Sequence, residues 1–320
     1  MLRQLLIGLL AIPLCFVPAF GQPEKGKSSG LSWQATGKQG AVGGGGSEAV
    51  AAGLASLKHG GNAIDAAVTT IFALSITDSE RFCFGGEVPI MVYDAKRNVV
   101  ELVCGLGTAP KLATREYFAK KKDGIPAKGI ESAAVPGMVD GCLTALDRYG
   151  TITFAEAVQP TLALLDRHEK PWHADLAITI RRMVDAEKAS PHDRKRGLRL
   201  VADFFYRGPI ARELDAWCRV NGGLIRYTDL ATYVTRIEDP LSVDYRGYVV
   251  YKTGVWNQGP YLLQALRLLE GFDLKAMGHN RPDTLHVTAE AMKLALADRD
   301  VYYADPLFVD VPTEQLLSKA

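Results

Sequence analysis

Two adjacent glycines followed at once by an asparagine, in Gly60-Gly61-Asn62-Ala63-Ile64-Asp65-Ala66-Ala67, constrain the fold of this chain more than any other stretch. Glycine takes up the left-handed conformation that ends a helix without steric cost, and asparagine accepts hydrogen bonds from the free amides that open one. A helix is therefore expected to stop at Gly60 or Gly61 and another to start at Asn62. The upstream helix reads from Ser47, its expected cap, through Val50, Leu54 and Leu57 at helical spacing. Asp65 falls in the first turn of the downstream helix, where the helix dipole favours negative charge. Taken alone, the run is a tight helix–helix corner with no chemistry attached.

Further on, short β-prone runs alternate with helical stripes. Residues 88–93 and 99–104 flank Ala95-Lys96-Arg97-Asn98 and read as a hairpin; residues 241–252 read as a strand pair around Arg246-Gly247. Thr153-Phe154-Ala155-Glu156 is a capping box ahead of Val158, Leu162 and Leu165. Ile210, Leu214 and Trp217 form an apolar stripe that ends at Gly222-Gly223. Leu262, Leu266 and Leu269 share one helix, and Leu285, Ala289, Met292 and Leu296 share a longer one. This mixture suits an α/β or α+β layered fold.

Residues 1–21 read as a secretory signal: Arg3 gives the positive start, residues 5–14 the short apolar core, and Ala19-Phe20-Gly21 the small-x-small cleavage pattern. The apolar core falls short of the ~20 residues of a membrane span. Cys15 follows Ile12-Pro13-Leu14, which lacks the small residues of a lipoprotein box, so no membrane anchor is expected. Residues 22–37 read as a flexible lead-in, polar and rich in Gly, Lys and Ser through Gly30. Removing the signal takes away Arg3 alone from 37 basic residues and balances the 36 acidic ones. That balance disfavours nucleic acid or an anionic membrane as partner. Arg194-Lys195-Arg196 with Arg199 reads as a solvated face.

Common catalytic patterns fail one after another. Gly43-Gly44-Gly45-Gly46 is followed by Ser47 and Glu48, with no lysine to meet a phosphate. His168 and His173 are five apart, off the spacing that puts two imidazoles on one helical face. Cys83, Cys104, Cys142 and Cys218 fit no disulfide framework or zinc pattern. Cys142, among Val139, Leu143 and Leu146, reads as a buried thiol.

What lifts the corner above its bland reading is the company it keeps. Val92-Tyr93-Asp94, Thr108-Ala109-Pro110, Val135-Pro136-Gly137, Tyr206-Arg207-Gly208-Pro209, Tyr245-Arg246-Gly247, Leu269-Glu270-Gly271-Phe272 and Ala297-Asp298-Arg299 follow it in order. Together these segments resemble the gamma-glutamyltransferase (gamma-glutamyltranspeptidase, glutathione hydrolase) family of N-terminal nucleophile hydrolases. The likeness covers residues 38–320, which look like the large-subunit region, truncated before the catalytic small subunit. It implies an α+β fold, a four-layer αββα sandwich that is incomplete in this chain because both subunits supply its sheets. It also implies self-cleavage of a precursor, no metal or organic cofactor, a partner in the protein's own small subunit, and a small-molecule amide or γ-glutamyl substrate, glutathione being the usual class. The family's nucleophile is a threonine that becomes the first residue of the small subunit, with its freed α-amine as base. The resemblance places it beyond Ala320, so no catalytic residue is expected within the chain. Asp283-Thr284-Leu285-His286 imitates the nucleophile's setting, but residues 285–293 resemble the large subunit's late helix. Thr284 is expected to cap that helix.

Two departures bear on specificity. Relatives that cleave γ-glutamyl bonds carry Asp-x-Arg-Glu-x-Ala-Pro, whose Arg grips the glutamyl α-carboxylate. Here the run is Cys104-Gly105-Leu106-Gly107-Thr108-Ala109-Pro110, so Leu106 is the substrate-binding candidate and Gly107 stands at the Glu position. Losing one partner of such a buried charged pair costs about 2–5 kcal/mol of binding. Trp256-Asn257-Gln258-Gly259 replaces the Ser-Ser-Gly-Gly of many relatives and points to a differently shaped acyl pocket. Three readings stay open: an exported γ-glutamyl hydrolase or transferase, an amidase or acylase for a non-glutamyl acyl group, and a non-catalytic binding or structural protein.

Overall fold

The structure, a computed structural model, describes residues 35–319. The expected signal and nearly all of the lead-in lie outside the described residues. Residues 38 onward form one unit. It opens with α1 (Ser47–Lys58) and α2 (Ala63–Thr77), joined by the Gly-Gly-Asn corner. The hairpin β1 (Val88–Asp94) and β2 (Val99–Gly105) follows, then short α3 (Arg115–Ala119). Five longer helices come next: α4 (Met138–Tyr149), α5 (Phe154–Leu165), α6 (His173–Glu187), α7 (Arg194–Tyr206) and α8 (Pro209–Asn221). After α9 (Tyr227–Ala231) come β3 (Arg236–Glu238), β4 (Leu241–Tyr245) and β5 (Tyr248–Lys252). The chain continues through α10 (Gly259–Leu269), α11 (Leu274–Met277), α12 (Pro282–Tyr302) and α13 (Thr313–Leu316).

Gly60, at φ +92°, makes the left-handed turn after α1, as the glycine pair predicts. Asn62 caps α2: its Oδ1 accepts from the amides of Ile64 (2.8 Å) and Asp65 (3.1 Å), while Asp65 accepts from the Asn62 amide at 2.8 Å. Asp65 does more than complement the dipole. Fully buried, it also accepts from the Thr151 amide (2.8 Å), the Thr151 hydroxyl (2.6 Å) and the Ile152 amide (3.3 Å). The Asn62 side-chain amide donates to the Tyr149 carbonyl at 2.7 Å. One corner therefore fixes both the α1–α2 turn and the loop between α4 and α5. The Thr153–Glu156 box forms as expected, and Glu187, at the end of α6, accepts from the next two amides, Phe154 (2.7 Å) and Ala155 (2.8 Å).

Both expected strand pairs form, with Val88 opposite Gly105 in one and Leu241 opposite Lys252 in the other. β3 adds to β2 antiparallel, giving the order β1-β2-β3. Ile90 and Val92 point into the core beneath α4, whereas Met91 and Tyr93 on the opposite face are exposed. The architecture is α+β, with one sheet face covered by helices and the other open at these positions. The main core runs from Ala49 to Tyr233 and centres on Phe72, Phe154, Met138, Leu146 and Tyr206.

Four local expectations need correction. Ser47 is the first residue of α1 rather than its cap; Gly46 holds the cap position, with no side-chain bond. Thr284 lies inside the first turn of α12, whose cap is Arg281, and its hydroxyl donates to the Gly278 carbonyl at 2.6 Å. On α8 the buried residues are Ala211 and Cys218, while Trp217 is exposed, because the helix packs through a neighbouring stripe. The basic run is only partly a solvated face: Arg194 reaches in to the carbonyls of Leu146 (3.1 Å) and Ile152 (3.3 Å). Cys142 is buried as expected. Among the described residues no helix is long and apolar enough to cross a membrane.

Candidate functional site

Strand β2 delivers Leu106 to the site, and the delivery depends on close backbone contact. A Cβ on Gly105 would come within 2.4 Å of the Val88 carbonyl oxygen, and one on Gly137 within 2.6 Å of the Gly105 carbonyl oxygen. Only glycines let the strand end settle against the start of α4. A Cβ on Gly107 would meet the Val135 carbonyl oxygen at 1.9 Å, so this backbone cannot accept a side chain at that position. The local path of the chain thus excludes a glutamate at Gly107.

Behind Leu106 lies a buried tyrosine pair. Tyr233 donates its hydroxyl to the Leu106 carbonyl at 2.9 Å and stacks on Tyr206, with ring centroids 5.5 Å apart. Tyr206 donates to the Pro136 carbonyl (2.8 Å) and accepts from the Asp140 amide (3.1 Å). Asp140 in turn accepts from the Thr235 amide at 2.7 Å. Burial pushes the Tyr233 phenol up to about 12 and raises that of Tyr206 as well, so both act as neutral donors. Burial likewise raises the Cys104 thiol, which removes it as a nucleophile.

Leu106 lines a cavity of about 580 Å³ with Val255, Trp256, Asn257 and Gln258, which precede α10, and with Arg299, Asp300, Tyr303, Ala304 and Asp305 at the end of α12. The volume falls in the range of small-molecule clefts, about 300–1,000 Å³. Both departures noted in the sequence therefore face one cavity. Arg299, at the Ala297-Asp298-Arg299 segment, is the cavity's cation. Its Nε and Nη2 donate to Asp300 Oδ1 (3.0 and 2.8 Å), and its Nη1 donates to Gln258 Oε1 at 3.2 Å. The Tyr303 hydroxyl donates to Gln264 Oε1 at 3.1 Å, and burial pushes its phenol up to about 12. Asp298 accepts from the Gln264 side chain, as its reading as a pairing group implies. No Ser, Thr, Cys or His lines the cavity. Thr284 is not among its residues.

A family model described as gamma-glutamyltranspeptidase matches residues 49–168 and 173–320. The chain belongs to the gamma-glutamyltranspeptidase family. It is 33% identical over 309 residues to the acylase ACY 1 proenzyme of Pseudomonas sp. (strain SE83), covering 85% of this chain and 55% of that protein. It is 32% identical to the glutathione hydrolase proenzyme of Escherichia coli (strain K12), covering 100% of this chain and 61% of that one. The chain therefore spans less than two thirds of the length of these relatives. The solved gamma-glutamyltranspeptidase of Helicobacter pylori superposes with a TM-score of 0.78 at 28% identity, covering 89% of this chain and 90% of that chain. The cephalosporin acylase of Bacillus halodurans gives a TM-score of 0.71 at 29% identity, covering 85% of this chain and 54% of that chain. The family's relatives thus include glutathione hydrolases and acylases, and the fold is theirs.

The sequence singled out Leu106 and residues 256–259 separately. The meeting of Leu106 with Trp256, Asn257 and Gln258 in one cavity, and the part of Tyr303 in it, were not legible. Nothing in local spacing says that the start of α10 folds against the end of β2.

Proposed function

We propose that this chain is the substrate-recognition part of an exported amide-cleaving hydrolase or acyltransferase. The nucleophile is the N-terminal threonine of a small subunit released from the same precursor, beyond Ala320. Relatives bearing the word proenzyme in their names, and covered for only 55–61% of their length, support that division. So do the open sheet face and the apolar side chains Leu285, Leu294 and Val301 that α12 leaves exposed. The threonine hydroxyl attacks the amide carbonyl, an acyl-threonine forms, and the amine leaves; water or a second amine then takes the acyl group.

The observation that carries the choice of acyl group is the cavity itself. Leu106 offers no donor where a glutamyl-cleaving relative offers a two-pronged, charge-assisted bond. The reading is an amidase or acylase for an acyl group without the glutamyl α-carboxylate. A γ-glutamyl substrate of the glutathione class is the second reading, and Arg299 in the same cavity favours it, provided the guanidinium releases Asp300. Kinetics of the full-length precursor product decide between them. Higher kcat/KM on simple acyl anilides than on γ-glutamyl-anilide is expected. The reverse order overturns the acylase reading, and no cleavage of either restores the non-catalytic one.

A further inference from the structure

We infer, resting on the acylase reading above, that Trp256 is a specificity-determining residue that selects acyl groups with a planar apolar tail, arylacyl amides, and that Glu238 positions it. An indole has a single polar atom, a donor. In Trp256 that donor is already used: Nε1 donates to Glu238 Oε2 at 2.8 Å. What the ring offers the cavity is therefore carbon surface alone, and it stands in one cavity with Leu106 and buried Val255.

The ring is held from two sides. Glu238 lies on β3, paired opposite Leu102 of β2, and its other carboxylate oxygen pairs with Arg236 at 2.8 Å. The strand that carries Glu238 is thus bonded to the strand that ends one residue before Leu106, and one sheet fixes both apolar walls. On the other side, a Cβ on Gly254 would lie 2.9 Å from the indole Nε1, so the ring rests over a residue that has no side chain. A rigid apolar wall of this kind favours a flat partner, since stacked or edge-on aromatic contacts add to plain burial. The charges point the same way. One arginine, already engaged by Asp300 and Gln258, stands against two aspartates, Asp300 and Asp305, which disfavours a tail ending in a carboxylate.

The test uses the matured full-length protein and three chromogenic anilides: phenylacetyl, acetyl and γ-glutamyl. The phenylacetyl substrate should exceed the acetyl one in kcat/KM by on the order of tenfold or more. Trp256→Leu should bring the two close to parity by raising KM for phenylacetyl far more than for acetyl, and Trp256→Phe should restore most of the preference. Glu238→Ala should raise KM for phenylacetyl selectively, and Glu238→Gln, which keeps an acceptor for the indole, should not. Gly254→Ala, which displaces the ring without removing it, should also lower the preference; it serves if Trp256→Leu does not mature. Equal loss on both acyl substrates, or a wild-type preference for acetyl, overturns this inference and leaves the acylase reading standing. A preference for the γ-glutamyl substrate overturns the acylase reading itself.

Discussion

The corner around Asp65 and the helix pair α10–α12 are both built from short-range helical signals, yet they finish differently. At the corner the side chains of Asn62 and Asp65 are both satisfied within the chain. Asp65 is fully buried and accepts from four donors in residues 62, 151 and 152. The main core that surrounds it takes in α1, α2, α4, α5, α6 and α7. In the second region α12 buries only Ala291 and Ala295 over 21 residues, and Leu285, Met292, Leu294, Val301 and Tyr302 are exposed. None of its residues joins the main core. A helix with that much apolar surface facing water gains little from its own fold and has much to gain from a partner. Burial is concentrated in one region, and the cavity of Leu106 and Trp256 borders the other.

The largest effect that could break this contrast lies at the corner. Asp65→Ala strands buried amides of Asn62, Thr151 and Ile152 together with the Thr151 hydroxyl, and should cost about 3 kcal/mol or more. Urea unfolding would read this as a lower midpoint; an unchanged midpoint would show that the corner is not the anchor. Next comes Gly107→Ala at the edge of the site, where the added Cβ runs into the Val135 carbonyl. Forcing the backbone apart should cost about 2–3 kcal/mol, measured the same way. Gly107→Glu should fare no better, so the family Glu cannot be restored by one substitution.

Leu106→Arg sharpens the comparison from the functional side. In the full-length enzyme it should shift the kcat/KM ratio of γ-glutamyl to simple acyl anilides by about tenfold or more, the least a charge-assisted pair is expected to give. An unchanged ratio would show that Leu106 does not meet the acyl group. Stability should move little, because the side chain is only partly buried.

On the open face of α12, Leu294→Gln should change the unfolding free energy of this chain by no more than about 0.5 kcal/mol. The same substitution should weaken recovery of a mature two-subunit enzyme from the precursor. Loss of stability in the isolated chain would instead mean that α12 packs its own apolar face.

The smallest effect is a pH dependence on the hairpin. Glu101 accepts from Arg97, from Arg148 (2.6 Å) and from the Tyr149 hydroxyl (2.9 Å), and the Arg97 bond leads in holding its carboxyl near 2, against an ordinary value of 4.5. A carboxyl lowered by folding stabilises the fold fully above its unfolded value and loses that contribution as pH falls from about 4.5 toward 2. Glu101→Gln should therefore narrow its stability gap to the native protein as pH drops from 5 to 3. A constant gap would remove Glu101 from the acid response.

Much of the first region was legible because its signals are local. A glycine that must turn left, an asparagine that must cap, and a Thr-x-x-Glu box each act within four residues, and each forms at its expected place. Ser47 and Thr284 misled for the same reason in reverse. A hydroxyl near a helix start has several short-range partners, and Thr284 takes the Gly278 carbonyl rather than a free amide. Of the stripe on α8, Ile210 and Leu214 pack against the core and Trp217 is exposed, because which edge of a broad amphipathic face is buried depends on what packs there.

The sequence by itself determined the two strand pairs, the α1–α2 corner, the capped start of α5, the family and the absence of an arginine at Leu106. These follow from backbone preferences and from residue identity, which need no knowledge of distant contacts. Tertiary structure alone decided that Asp65 would hold the α4–α5 loop and that Gly107 could carry no side chain. It also decided that Leu106 and Trp256, 150 positions apart in the chain, would wall one cavity. The physical reason is range. Close backbone approach and shared burial depend on how strands β2 and β3 pair and how α12 lies against α10, and those pairings join residues that local propensity never compares.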